Sequence, residues 1–186
     1  MKKTIIALVL ALALLALVLP AAFAAEDTVG ATVTAGVVSV TVEDGSVAYG
    51  TLSLDSVKNT AFLDGTYNAN GMGTAQTQTV TNTSNVAVDL NIKTSAATGG
   101  TGWTLHATTR GANQFTHGYN VASSAYAGGS AITFTKWTAV DSYVEVATDL
   151  AASGIKYLEL EIGMPTTSDT TQRSITVTVQ ATEATP

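Results

Sequence analysis

Two histidines, His106 and His117, and the carboxylate pair Glu159 and Glu161 are the residues best suited by type to move protons. Ser-His-acid hydrolysis brings a base and an acid to a nucleophile. No G-x-S-x-G elbow occurs, and Ser130 in Gly128-Gly129-Ser130 reads as turn chemistry. His117 shares a period-2 face with Phe115 and Tyr119, which fits a core-edge histidine bonded to backbone, and His106 falls on an outer parity. Two histidines, no cysteine and no H-E-x-x-H leave no zinc site. Glu159 and Glu161 share a strand face, and a glycosidase works with such a pair of carboxylates. At that spacing carboxylates more often solvate an outer face and guard an edge. The chain is read as not an enzyme.

Calcium is the metal that remains. It takes several oxygen ligands from Asp-bearing loops. The candidates are Asp64 with Asn68 and Asn70, Asp141 with Asp149, and Asp169 with Thr170. None has the spacing of a known loop motif, so no cofactor is required and calcium is the one to test. Sugar stacking would need an exposed aromatic row, for which Trp103, Trp137 and Tyr119 are the candidates. Trp103 shares parity with Leu105, which points instead to the core. Asn82-Thr83-Ser84 is a glycosylation acceptor by pattern, placed at an expected hairpin turn.

These residues need a scaffold, and the chain's punctuation supplies one. Lys2 and Lys3 precede an apolar run from Ile5 to Leu19, then Pro20 and Ala22-Phe23-Ala24. That is a secretory signal peptide, residues 1–24, cut after Ala24. An uncleaved anchor is the competing reading, since the run approaches the roughly 18–20 residues that span a bilayer. Cleavage removes two lysines and takes the net charge from -6 to -8. Such an acidic surface argues against nucleic acid and anionic lipid as partners. The membrane is met only through the signal peptide. With no cysteine, an exported chain must be held by its core, its own copies or bound ions.

After the signal, period-2 alternation recurs between Gly, Asn, Asp and Ser clusters, and no helical period appears. Val86, Val88, Leu90 and Ile92 form the cleanest half-buried strand. Strands are also expected at 47–54, 74–81, 103–107, 115–121, 132–134, 144–146, 158–164 and 175–181. The expectation is a single all-β sandwich, jelly-roll or Greek-key, over residues 37–186. Residues 25–36 stand apart. Val29, Ala31, Val33 and Ala35 share one parity, whereas Val38, Val40 and Val42 take the other, with Gly36 near the change. A strand cannot change faces without a break. A strand of Val and Ala alternating with Thr is what a sheet-edge groove accepts, so 25–36 is a candidate donor strand for the next copy; the competing reading is the first strand of its own sandwich, with a bulge.

The Thr77–Thr83 run (Thr-Gln-Thr-Val-Thr-Asn-Thr), the alternating Val86–Ile92 strand and the Leu158–Pro165 segment resemble the TasA/camelysin-type secreted β-sandwiches. That resemblance implies a biofilm-matrix fibre subunit or pilin that assembles by strand donation. No metal-binding residues of camelysin map onto this chain, so proteolysis is not implied. The expectation is a secreted, extracellular or cell-surface subunit whose partner is itself. The alternative is a carbohydrate-binding or adhesion module whose partner is surface polysaccharide.

Overall fold

The structure, a computed structural model, describes residues 35–100 and 102–185. The expected signal peptide and Val29, Ala31 and Val33 of the expected donor strand lie outside the described residues. The compact unit begins at Ala35.

The described residues form two β-sheets and no helix. The larger sheet runs β1 (Val40–Val42), β3 (Gln78–Asn82), β9 (Ile155–Gly163), β6 (Gln114–Ala122), β5 (Thr104–Leu105). Short β2 (Val57–Asn59) pairs with β9 alongside β3, and β7 (Thr135–Lys136) pairs with β6. The smaller sheet is β10 (Val177–Glu183), β4 (Val88–Thr94), β8 (Val144–Leu150). Every strand pairing is antiparallel except β5 with β6. The chain crosses between sheets from β3 to β4, β4 to β5, β7 to β8, β8 to β9 and β9 to β10, which gives a β-sandwich as the alternation foretells.

β4 explains the packing. Val88, Leu90, Ile92 and Thr94 are buried, with half-buried Asp89, Asn91 and Lys93 between them. They face Val80, Tyr119, Leu158 and Leu160 of the larger sheet, with Trp137 filling the centre. Full burial of each such aliphatic side chain contributes about 1.5–3 kcal/mol. A second cluster sits at the β5 end. Trp103 and Phe115 meet with ring centroids 5.8 Å apart, Ile162 packs with them, and the Arg173 guanidinium lies 5.2 Å over the Trp103 ring.

Two expected strands are absent. Residues 47–54 form no strand, although Val47 and Tyr49 still pack on the core. Glutamine amides take the place of a partner strand here: Ala48 N–H donates to Gln76 Oε1 (2.8 Å), and Gln78 Nε2 donates to Ser46 O (3.3 Å). Residues 132–134 also run irregularly, because they belong to an arch over the larger sheet.

Candidate functional site

Two places in the fold can do more than hold it together. The first is the outer face of the larger sheet. Glu159 and Glu161 point there from β9, opposite Asn120 and Gly118 of β6. The expectation of a solvated pair is corrected: Glu159 is only 2% exposed. Two loops that carry no period-2 signal cover it. Thr60 and Thr77 hydroxyls donate to Glu159 Oε2 and Oε1 at 2.7 and 2.5 Å, and Leu160 N–H donates to Thr60 Oγ1 at 2.8 Å. Asn59 and Asn68 exchange reciprocal amide hydrogen bonds beneath the same loop (2.8 and 3.0 Å).

Glu161 forms an ion pair with Lys136 of β7, which reaches it across Gly118. A Cβ at position 118 would stand 3.0 Å from Lys136 Cδ and 3.2 Å from Phe134 Cβ, so the crossing needs glycine.

After β6 the chain arches over this face through residues 123–134. The arch is pinned. Gly129 N–H donates to Asp64 Oδ2 (2.7 Å), Asn120 Nδ2 to Thr133 O (2.9 Å) and Lys156 Nζ to Ser123 Oγ (3.1 Å). Gly128 and Gly129 take positive φ of 85° and 81°. The backbone N–H groups of Gly129 and Thr66 hold the Asp64 carboxyl below the usual carboxylate range. A cavity of about 510 Å³ opens between the arch and the sheet, with Tyr157, Asn120 and Glu159 on the sheet side and Tyr126 and Ile132 on the arch.

The second place is the sheet edge near the start of the described chain. Asn85 Nδ2 donates to Ala35 O (2.9 Å), and Val37 N–H donates to Asn85 Oδ1 (2.7 Å). Ser39 N–H donates to Ser84 Oγ, which donates back to Ser39 O (2.7 and 2.9 Å). One amide and one hydroxyl thus imitate a strand partner for 35–39 before β1 begins. A Cβ at Gly36 would lie 3.5 Å from Glu183 Oε1, so the chain passes the end of β10.

β10 is an edge strand, paired only with β4 among the described residues. Its seven-residue register is unbroken. Ser95 N–H donates to Thr176 O and Ala184 N–H to Ala87 O. Bonded pairs alternate along an antiparallel ladder, so the backbone groups of Val177, Val179 and Ala181 point to the free edge. The side chains of those three residues pack half-buried on the core. β8, the opposite edge, breaks register twice, and Asp149 there has φ of 51°. Bulges of this kind are a usual defence of an edge.

The aromatic candidates do not form a sugar platform. Trp103, Tyr119 and Trp137 are all core residues, with Trp137 only 1% exposed. Trp103 Nε1 donates to Ser168 Oγ at 2.7 Å, and Trp137 packs between His117 and Tyr119 at centroid distances of 4.8 and 4.7 Å. The glycosylation acceptor is corrected too. Asn82 is fully buried, and its Nδ2 donates to the carbonyls of Val86, Leu150 and Ala151 at 3.0, 2.8 and 3.0 Å. An oligosaccharide on that nitrogen is incompatible with the folded domain.

Nor do the aspartates converge. Asp141 N–H donates to Thr94 O, whereas Asp149 N–H donates to Asp89 Oδ1, which puts them at opposite ends of β4. Asp64 pins the arch and Asp169 pairs with Arg173 at 2.7 Å. Among the described residues no three of His, Cys, Asp and Glu gather as metal ligands. His117 is buried, and its Nδ1 shares a hydrogen bond with Thr94 Oγ1 at 2.8 Å rather than with backbone. Thr94 belongs to the other sheet, so this bond joins the two layers. Burial and, secondarily, the Lys136 charge push the His117 pKa down to about 3.

Comparison with protein-family models, curated protein sequences and solved structures gives no match.

Proposed function

We propose that this protein is a secreted structural subunit that polymerises into an extracellular filament. One copy seats residues 28–36 of its N-terminal segment along β10 of the next. The observation that carries this reading is the contrast between the two edges of the smaller sheet. β8 is bulged twice, whereas β10 is regular over seven residues and offers outward backbone groups beside half-buried Val177, Val179 and Ala181. An unguarded regular edge is a template for another strand. Residues 28–36 supply nine uncharged positions, alternating Val and Ala with Thr. Such a segment gives main-chain hydrogen bonds for affinity and alternate side chains for fit. The contact is head-to-tail and does not close on itself, so it extends into a fibre. The signal-peptide pattern of residues 1–24 supports export.

Electron microscopy and gel filtration of two purified chains test this, one beginning at Ala25 and one at Val37. The longer chain forms filaments and the shorter stays a folded monomer. A longer chain that remains monomeric, with 25–36 protected from proteolysis, means the segment covers its own edge and overturns the proposal. Ala181→Pro is the companion variant. It deletes an N–H that faces the free edge and leaves the β4 ladder bonds in place, so it abolishes filaments while the domain stays folded.

A further inference from the structure

A chain without cysteine has no disulfide to staple it. The outer face of the larger sheet holds another pair of groups able to form a covalent bond. Lys136, Gly118 and Glu161 stand in one row across β7, β6 and β9, with Lys136 in register with Gly118 and Gly118 with Glu161. Two strand spacings of about 4.8 Å each separate the lysine from the glutamate, a gap that their two side chains fill between them. The lysine stem lies directly on Gly118. A Cβ there would stand 3.0 Å from Lys136 Cδ and 3.1 Å from Nζ, and Phe134 Cβ borders the same spot at 3.2 Å. The ammonium is thus confined, and it ends against Glu161 Oε1.

The pairing is exclusive. Among the described residues Lys136 forms no other ion pair, and neither does Glu161. The neighbouring carboxylate, Glu159, is held by the Thr60 and Thr77 hydroxyls instead. Both partners are largely withdrawn from water, with side chains 28% and 14% exposed. Charges in such a place have lost much of their hydration, which offsets most of their attraction. An amide in their place carries no charge to solvate. A lysine amine is a nucleophile once it has given up its proton. Reactants held in one good geometry gain an effective concentration of about 10⁵–10⁸ M, which favours condensation over hydrolysis.

We infer that Lys136 and Glu161 condense after folding into an amide bond that clasps β7 to β9 across β6. The ammonium passes one proton to the carboxylate within the pair. Nζ then attacks Glu161 Cδ. The Nζ–Cδ bond forms, one Cδ–O bond breaks, and that oxygen leaves as water with a second proton from Nζ. One ammonium and one carboxylate give one amide and one water, with no oxidant, reductant or further reactant. The ion pair is the form that folding delivers, and the amide is the form it matures into. The loop so closed runs from Lys136 to Glu161 and contains all of β8, so the clasp restrains a strand of each layer. It limits the unfolded chain as a disulfide does, and it does not depend on polymerisation.

Intact mass of the chain beginning at Ala25, recorded on purification and through incubation at neutral pH until it is constant, tests the inference. The expected result is a species lighter than the sequence by one water. Its digest holds a branched peptide that joins Lys136 to Glu161. Lys136→Arg keeps the charge and the ion pair, but its guanidinium, charged at every working pH, is no nucleophile. That variant therefore keeps the full mass. Three outcomes overturn the inference: the full mass at every time, a loss of water that persists in Lys136→Arg, or a loss that the digest places at Asp44-Gly45 or Asp64-Gly65, where an aspartate can cyclise onto the next backbone nitrogen. The branched peptide is read on the unaltered chain, so the test stands even if the variant fails to fold. None of these outcomes bears on whether the chain forms filaments, so the two readings fail separately.

Discussion

His117 is a histidine kept neutral by its surroundings, and the consequence is a pH dependence of stability with a definite sign. Its folded pKa of about 3 lies below the ordinary value near 6.5. Between those two values the unfolded chain binds the proton and the folded chain does not, so stability falls as pH drops from about 6.5 toward 3. The slope approaches roughly 1.4 kcal/mol per pH unit for this one group. Urea midpoints measured from pH 7 to pH 5, above the ordinary carboxylate range, isolate it. His117→Gln flattens the slope in that window; an unchanged slope assigns the effect elsewhere. Asn82 is the other residue whose role is all internal. Asn82→Ala removes the side-chain hydrogen bonds to the part-buried carbonyls of Val86, Leu150 and Ala151 and costs about 1–3 kcal/mol. Asn82→Asp costs more, because a carboxylate then faces those carbonyls. Equilibrium urea denaturation of both variants reads the order directly. Neither role is visible in the chain alone: Asn82 sits in a Thr-Asn-Thr-Ser run that looks like any exposed turn, and only the approach of Leu150 and Ala151 from β8 makes it a knot.

At the scale of elements, the strands that were legible are those with one wet and one dry face. β4 alternates without exception, and β9 and β10 lie where their Leu, Ile and Val spacing puts them. The arch and the 60–76 loop were not legible, since covering loops have no period. That is why the spacing of Glu159 and Glu161, alternating with Leu158, Leu160 and Ile162, points to solvent although another layer lies above them. Strand period reports which residues share a face and says nothing of what covers it. The Lys136–Glu161 pair depends on this layer and on Gly118 beneath it. Gly118→Ala pushes the lysine aside and strands a largely buried carboxylate, at a cost of about 1–3 kcal/mol. In a Lys136→Ala background there is no side chain to displace, so the same substitution costs less. A double-mutant cycle of melting free energies measures the difference. Equal costs in both backgrounds would move the strain to Phe134.

For the whole molecule, the described strands make a sandwich whose layers differ in completeness. The larger sheet is guarded at its edges by very short β1, β5 and β7, whereas the smaller sheet ends on one side in full-length β10. Half-buried Val177 and Val179 beside a regular edge are an arrangement that one more strand would complete, and the chain carries a segment of suitable length and composition just upstream. Supplied in trans, that segment becomes a ligand of the folded domain. A synthetic peptide of residues 25–36 therefore stabilises the chain beginning at Val37 by mass action, by about 2.7 kcal/mol at one hundred times its Kd. The gain appears as a melting temperature that climbs with peptide concentration. Replacing Val33 with Asp in the peptide removes the gain, because a charge then faces the half-buried valines. Under the proposed strand exchange, the same peptide added to the chain beginning at Ala25 competes for β10 and shortens the expected filaments. If the peptide raises the melting temperature but leaves filament length untouched, β10 accepts a strand and the filament contact lies on another surface.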